Sequence, residues 1–131
     1  MMTVSRTKIL VVDDSSFLRR ASERALTRAG YQVVTAADGE QALQVAREQI
    51  PNLILLDMML PKLSGVDVLR ALKQDAATKD IPVIVLTALS ERNKEKLLQE
   101  GAISYVEKSD ELLKKDGAIL IEAVRQVMAK A

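Results

Sequence analysis

Leu53-Ile54-Leu55-Leu56-Asp57-Met58-Met59-Leu60-Pro61 decides how the rest of the chain is read. Four large apolar residues in succession, preceded by Asn52 and closed off by Pro61, have the pattern of a short strand buried on both faces of a parallel sheet. The run stops at Asp57. A carboxylate at the mouth of an apolar strand is costly unless a cation or hydrogen-bond donors meet it. Taken alone, Asp57 reads as an acid capping the next turn; the other strand ends change that.

Working outward, the same unit recurs on both sides. Lys8 to Val12 is a short apolar run ending at Asp13-Asp14. Ser15-Ser16 then offers an N-cap, and Phe17, Leu18, Ala21, Ala25, Leu26 and Ala29 follow at helical spacing up to Gly30. Gln32 to Ala36 is a second strand, and Asp38 with Gln41 caps a helix carrying Ala42, Leu43, Ala46 and Ile50 as far as Pro51. Beyond the opening stretch, a helix from Ser64-Gly65 turns Val68, Leu69 and Leu72 inward. Val83 to Leu86 is the fourth strand and stops at Thr87, a charged helix spans about Ser90 to Glu100, and Ile103 to Val106 is the fifth strand, ending at Glu107-Lys108. From Ser109 to Met128 the apolar residues keep a helical period interrupted by Gly117. One bent helix and two short ones both fit, and a helix with a weak point at Gly117 is the reading taken.

Five strand-then-helix units predict one doubly wound α/β domain with helices on both faces of a parallel sheet. The strand order adopted is 2-1-3-4-5, which periodicity alone does not dictate. The 131 residues fit a single unit, with its core at about residues 8–128 and no output domain expected. A net charge of +1 provides no field for nucleic acid, and no apolar stretch is long enough for a membrane span or a secretory signal. A cytoplasmic location is the default expectation. The chain has no cysteine and no histidine, which removes thiolate chemistry, imidazole bases and His or Cys metal ligands together. Its aromatic residues are only Phe17, Tyr31 and Tyr105, too few to sandwich a flavin or stack bases.

A parallel sheet gathers the strand ends along one edge. Asp13, Asp14, Asp57, Thr87 and Lys108 then meet as three carboxylates, a hydroxyl and an ammonium. Their charges sum to about −2, a total that calls for a divalent cation. Oxygen ligands without His or Cys select a hard ion, so Mg²⁺ is expected, with Mn²⁺ as a substitute. Metal, hydroxyl and lysine are also what holds a phosphoryl group, with Asp57 placed to attack phosphorus and form an acyl phosphate. No Gly-rich nucleotide loop is present, so the phosphoryl group is expected from another molecule.

From Lys8 to Met128 these motifs, in this order, resemble the receiver domain of two-component response regulators. The resemblance implies that Asp57 is the phosphoacceptor and that Asp13 and Asp14 position Mg²⁺. Asp14 would be the more direct ligand, with the backbone carbonyl of Met59 completing the set. Thr87 matches the switch hydroxyl, Lys108 the family lysine and Tyr105 the aromatic that follows the switch. The implied donor is a phosphohistidine on a partner histidine kinase or histidine phosphotransfer protein. The implied output is a downstream protein bound on the face of the fourth helix, fifth strand and last helix, by a monomer or a phosphorylation-dependent dimer. Slow self-catalysed dephosphorylation is also implied, for a signalling domain rather than an enzyme.

Two departures from the family stand out. Ser109 occupies the place of a proline that usually follows the lysine, which predicts a trans bond or a strained loop there. Met59 and Leu60 put apolar bulk where many members carry a polar group. An aspartyl-phosphate phosphatase of the haloacid dehalogenase type, the rival from the enzyme class, needs a second Asp two residues after the first, where this chain has Met59.

Overall fold

The computed structural model describes residues 7–88, 94–109 and 111–129. The stretch that opens the sequence analysis is its central strand. β3 (Leu53–Asp57) is buried at all five positions and lies between β1 (Lys8–Val12) and β4 (Val83–Thr87); β2 (Gln32–Ala36) and β5 (Ser104–Glu107) complete a sheet of order β2-β1-β3-β4-β5. All four pairings are parallel. The doubly wound order 2-1-3-4-5 is therefore the one observed.

Alternation along each strand divides the core in two. Leu10, Val12, Ile54, Leu56, Val83 and Val85 face α2 (Gly39–Gln49), α3 (Gly65–Gln74) and α4 (Lys94–Gln99), where they meet Ala42, Ala46, Val68, Leu69, Leu72 and Leu97. Ile9, Val11, Leu53, Leu55, Ile84 and Leu86 face α1 (Ser16–Arg28) and α5 (Lys114–Ala129), meeting Leu26, Leu120, Val124 and Val127. No helix among the described residues is long and apolar enough to cross a membrane.

Side-chain caps start the first three helices, as their sequences predict. Ser15 Oγ accepts from Leu18 N, Asp38 Oδ1 from Gln41 N and Ser64 Oγ from Asp67 N. Gln41 reaches back one residue further than a standard capping box and accepts from Ala37 N.

Several boundaries differ from the sequence reading. The fifth strand begins at Ser104, because Ile103 still belongs to the turn after Gly101 (φ 114°) and stays half exposed. Of the expected fourth helix, residues 90–93 lie outside the described residues, and the helix is seen over Lys94–Gln99. Phe17, apolar and at helical spacing, is 74% exposed: it sits in the first turn of α1, at the strand-end edge of the sheet. Ile50 is also half exposed. It caps α2 in a left-handed conformation (φ 43°) at the residue before Pro51, through which a right-handed helix is disfavoured from continuing.

The weak point at Gly117 is wider than one residue. Lys115, Asp116 and Gly117 are all left-handed (φ 55°, 60° and 80°), so regular α5 geometry begins only after them. A left-handed conformation costs a non-glycine residue about 1–2 kcal/mol, so Lys115 and Asp116 are strained. The turn lies against α1: Asp116 is 3.6 Å from Arg28, and a Cβ on Gly117 would come within 2.8 Å of Ala25 Cβ.

Candidate functional site

Asp13, just past β1, is 2% exposed. Its N–H donates to Ala36 O (3.2 Å), and its Oδ1 accepts from Ser15 N (2.9 Å). Arg19, one turn into α1, donates through Nη1 to the Asp13 carbonyl at 2.8 Å. Asp14 is exposed beside it. Asp57, the last residue of β3, is 1% exposed, and its Oδ1 accepts from Met59 N at 3.1 Å. Carboxylate oxygens of Asp13, Asp14 and Asp57 all lie within 4.8 Å of one another.

Lys108 reaches into this acidic group from the turn after β5. Its Nζ lies 2.9 Å from Asp57 Oδ2 and 3.2 Å from Asp13 Oδ2, bridging the two buried acids. Its N–H donates to Thr87 O (2.9 Å), which fixes where the side chain starts. Thr87 ends β4 and is buried, one residue beyond the position paired with Asp57. Register places Thr87 opposite Glu107 and Val85 opposite Tyr105, so Thr87 and Tyr105 belong to the same side of the sheet. Tyr105 is half-buried against the α2/α3/α4 core.

All five strand-end residues therefore meet at one edge, and Tyr105 lies one strand over from Thr87. The peptide bond between Lys108 and Ser109 is trans, and Ser109 opens a turn in which its carbonyl accepts from Leu112 N. Met59 is 69% exposed beside the site, Leu60 is half-buried and Ala88 is exposed.

The electrostatics of this cluster are unbalanced. Burial pushes the Asp57 carboxyl above its ordinary value of 3.8, and the Asp13 charge adds to the rise; the Lys108 hydrogen bond, the Met59 N–H and the Lys108 charge pull against it without cancelling it. Burial alone would lower the Lys108 pKa, but the Asp57 hydrogen bond and the charges of Asp13 and Asp57 outweigh it and raise it. Lys108 is thus held fully charged, and still one cation does not suffice for three clustered acids. Carboxylate oxygens with no softer donor suit a hard divalent ion such as Mg²⁺.

Two features of the site escape the sequence reading. One is Arg19, whose distance from Asp13 in the chain conceals its bond to that residue's carbonyl. The other is Gly65, the first residue of α3. A Cβ there would lie 2.6 Å from Met58 Cα and 2.7 Å from Asp57 O, so the helix start approaches the end of β3 closely only because residue 65 lacks a side chain. The signal available was a glycine directly after a serine N-cap. Gly65→Ala is expected to push the Asp57–Met59 backbone aside and cost about 1–3 kcal/mol in urea unfolding. An unchanged unfolding midpoint would show that the loop gives way without strain.

A family model for the response regulator receiver domain matches residues 9–116. Among curated proteins, the chain is 46% identical over 108 residues to the probable transcriptional regulator ycf27 of Cyanophora paradoxa, covering 82% of this chain and 44% of that protein. It is 46% identical over 101 residues to the phosphate regulon transcriptional regulatory protein PhoB of Pseudomonas aeruginosa, covering 76% and 44%. The chain spans less than half the length of these relatives. Among solved structures, the chemotaxis protein CheY4 of Vibrio cholerae superposes with a TM-score of 0.84 at 29% identity, over 94% of this chain and 99% of that one. The response regulator domain of Thermotoga maritima CheB gives 0.82 at 28% identity, over 95% and 98%. With a sheet of matching order and a family match over most of its length, this chain belongs to the response regulator receiver domains of two-component systems.

Proposed function

We propose that this receiver domain accepts a phosphoryl group on Asp57, in the presence of Mg²⁺, from a phosphohistidine on a partner histidine kinase or phosphotransfer protein. The observation that carries the reading is Lys108 Nζ bridging Asp57 and Asp13 within a cluster of three carboxylates. Asp13, Asp14, Asp57 and the Met59 carbonyl would hold the ion, for which Mn²⁺ can substitute. Bound there, it neutralises charge on the phosphoryl oxygens. A lone pair of the Asp57 carboxylate forms the new O–P bond as the P–N bond to the donor imidazole breaks and its electron pair returns to the ring. Lys108 supplies positive charge to the phosphoryl oxygens, and the Thr87 hydroxyl donates to one of them.

The product explains the output. Phosphorylation turns one negative charge at Asp57 into about two and adds three acceptor oxygens. Drawing Thr87 toward them frees space on the side of the sheet it shares with Tyr105, and Tyr105 turns inward. The face of α4, β5 and α5 then repacks for a downstream protein. We read residues 1–131 as one such unit, working in the cytoplasm as a monomer or a phosphorylation-dependent dimer. Its own charge of +1 favours protein over nucleic-acid recognition. The transcriptional roles in the names of ycf27 and PhoB belong to proteins about twice as long.

Incubation with acetyl phosphate tests the proposal. Intact-mass analysis should find one added phosphoryl group with Mg²⁺ and none with EDTA. No gain from acetyl phosphate or phosphoramidate at saturating Mg²⁺ would overturn it.

Met59 adds a prediction about lifetime. Its exposed apolar side chain beside Asp57 restricts attacking water, so Met59→Asn is expected to speed loss of the phosphoryl group several-fold. Measured by intact mass after donor removal, an unchanged decay rate would count against that role.

A further inference from the structure

Arg19 is in an electrostatically unfavourable place. Side chains of a helix lean toward its N-terminus, the positive end of the helix dipole, and a cation near that end is destabilised by about 0.3–1 kcal/mol. Yet Arg19, in the early part of α1, turns back past the cap Ser15 and donates to the Asp13 carbonyl at 2.8 Å. Its neighbour Arg20 carries the same charge on the same helix and is exposed to solvent. Something other than helix electrostatics rewards the Arg19 geometry.

The carbonyl it grips belongs to the Asp13–Asp14 peptide. That peptide is tied down at neighbouring points: Asp13 N–H on Ala36 O (3.2 Å) and Ser15 N–H on Asp13 Oδ1 (2.9 Å). The Arg19 bond fixes the remaining freedom, rotation of the peptide plane, and this rotation directs the Asp14 backbone. Asp14 is exposed, so its carboxylate is aimed through its backbone rather than by packing around it. Because Arg19 bonds to a carbonyl and not a carboxylate, it leaves the carboxylate oxygens themselves open to a cation.

We infer that Arg19 is a positioning residue for the metal site, clamping the Asp13–Asp14 peptide so that Asp14 is held in line with Asp13 and Asp57. The inference rests on the reading of those three acids as a Mg²⁺ site. Groups that orient metal ligands typically cost about 10–100-fold in metal affinity when removed. Arg19→Met should therefore weaken Mg²⁺ binding by about that factor, whereas Arg20→Met, which removes an equal charge nearby, should leave it within about twofold.

Mg²⁺ titration by calorimetry, and by the rise in Tm with Mg²⁺ concentration, reads this directly. Phosphorylation by acetyl phosphate gives a second readout: the Mg²⁺ concentration for half-maximal rate should shift in Arg19→Met while the rate at saturating Mg²⁺ stays near wild type. Should Arg19→Met lose its cooperative unfolding transition in EDTA, Arg19→Lys, which keeps the charge on a shorter reach with a different donor, replaces it; its affinity is expected below that of Arg20→Met. Equal Mg²⁺ affinities for the Arg19 and Arg20 variants overturn the clamp, as does a fall in the saturated rate with no shift in half-saturation. Failure of the wild type itself to bind Mg²⁺ would overturn both this inference and the reading beneath it; normal binding by wild type and Arg19→Met alike would overturn this inference alone.

Discussion

Asp57→Asn should abolish the Mg²⁺-dependent mass gain from acetyl phosphate while leaving the protein folded and more stable than the wild type. The amide keeps the shape of the carboxyl, but its single oxygen can take over only one of the two bonds, to the Met59 N–H or to Lys108, and it has no anionic oxygen with which to attack phosphorus. The stability gain follows from the raised Asp57 pKa. The folded state holds the Asp57 proton more tightly than the unfolded chain, so wild-type stability is greatest, as far as this group is concerned, below the ordinary value of 3.8. It falls as pH rises through the raised folded value. Above that value, without Mg²⁺, the wild type bears the cost of a buried carboxylate, which the neutral Asn side chain does not. A gain of about 1 kcal/mol, roughly 4 °C in Tm, is expected in EDTA. Persistence of phosphorylation in the variant would move the acceptor elsewhere, and a lower Tm would contradict the burial cost assigned to Asp57.

Removal of the bridging cation should have the next largest effect. Lys108→Met deletes the ammonium that lies 2.9 Å from Asp57 and 3.2 Å from Asp13 while retaining much of the side chain's apolar length. Phosphorylation at saturating Mg²⁺ should slow by about 10²–10³-fold, the scale for loss of one preorganised charge stabiliser. Without Mg²⁺, two buried acids lose their shared partner, and stability should drop by up to about 3 kcal/mol. Mg²⁺ should then restore more stability to the variant than it adds to the wild type, because the variant has the larger deficit of positive charge. Urea unfolding with and without Mg²⁺ measures this difference. A phosphorylation rate within about threefold of wild type would remove Lys108 from the chemistry.

Much of the site was legible because its residues interrupt strong patterns. Val12, Leu56 and Leu86 end apolar runs, and the residues that follow them, Asp13, Asp57 and Thr87, are polar where the period offers no reason for it. Parallel pairing then brings such ends to one edge whatever their separation in the chain. The strand order came from the common arrangement of five such units and not from the pattern itself, since apolar runs buried on both faces carry no register information. Features that depend on distance in space stayed hidden. Gly65 matters because α3 starts almost in contact with Met58 and the Asp57 carbonyl, and Arg19 because it folds back over its own cap. Left-handed backbone at Lys115 and Asp116 was hidden for another reason: neither residue type favours it, and only the glycine in that turn shows in the sequence. Phe17 keeps the helical period of its apolar neighbours, but its position at the helix start leaves it in solvent.

The central place of β3 sets where this molecule can change. Its backbone amides are enclosed between two neighbouring strands and two helical layers, so Ile54, Leu55 and Leu56 should be among the last to exchange with deuterium, opening only when the whole domain unfolds. Asp57 is thereby fastened to the part of the chain expected to open last, while Asp14, Met59 and Lys108 lie on connecting segments, where opening is expected at lower free energy. Local fluctuation can retune the surroundings of this acid, but it cannot withdraw the acid itself.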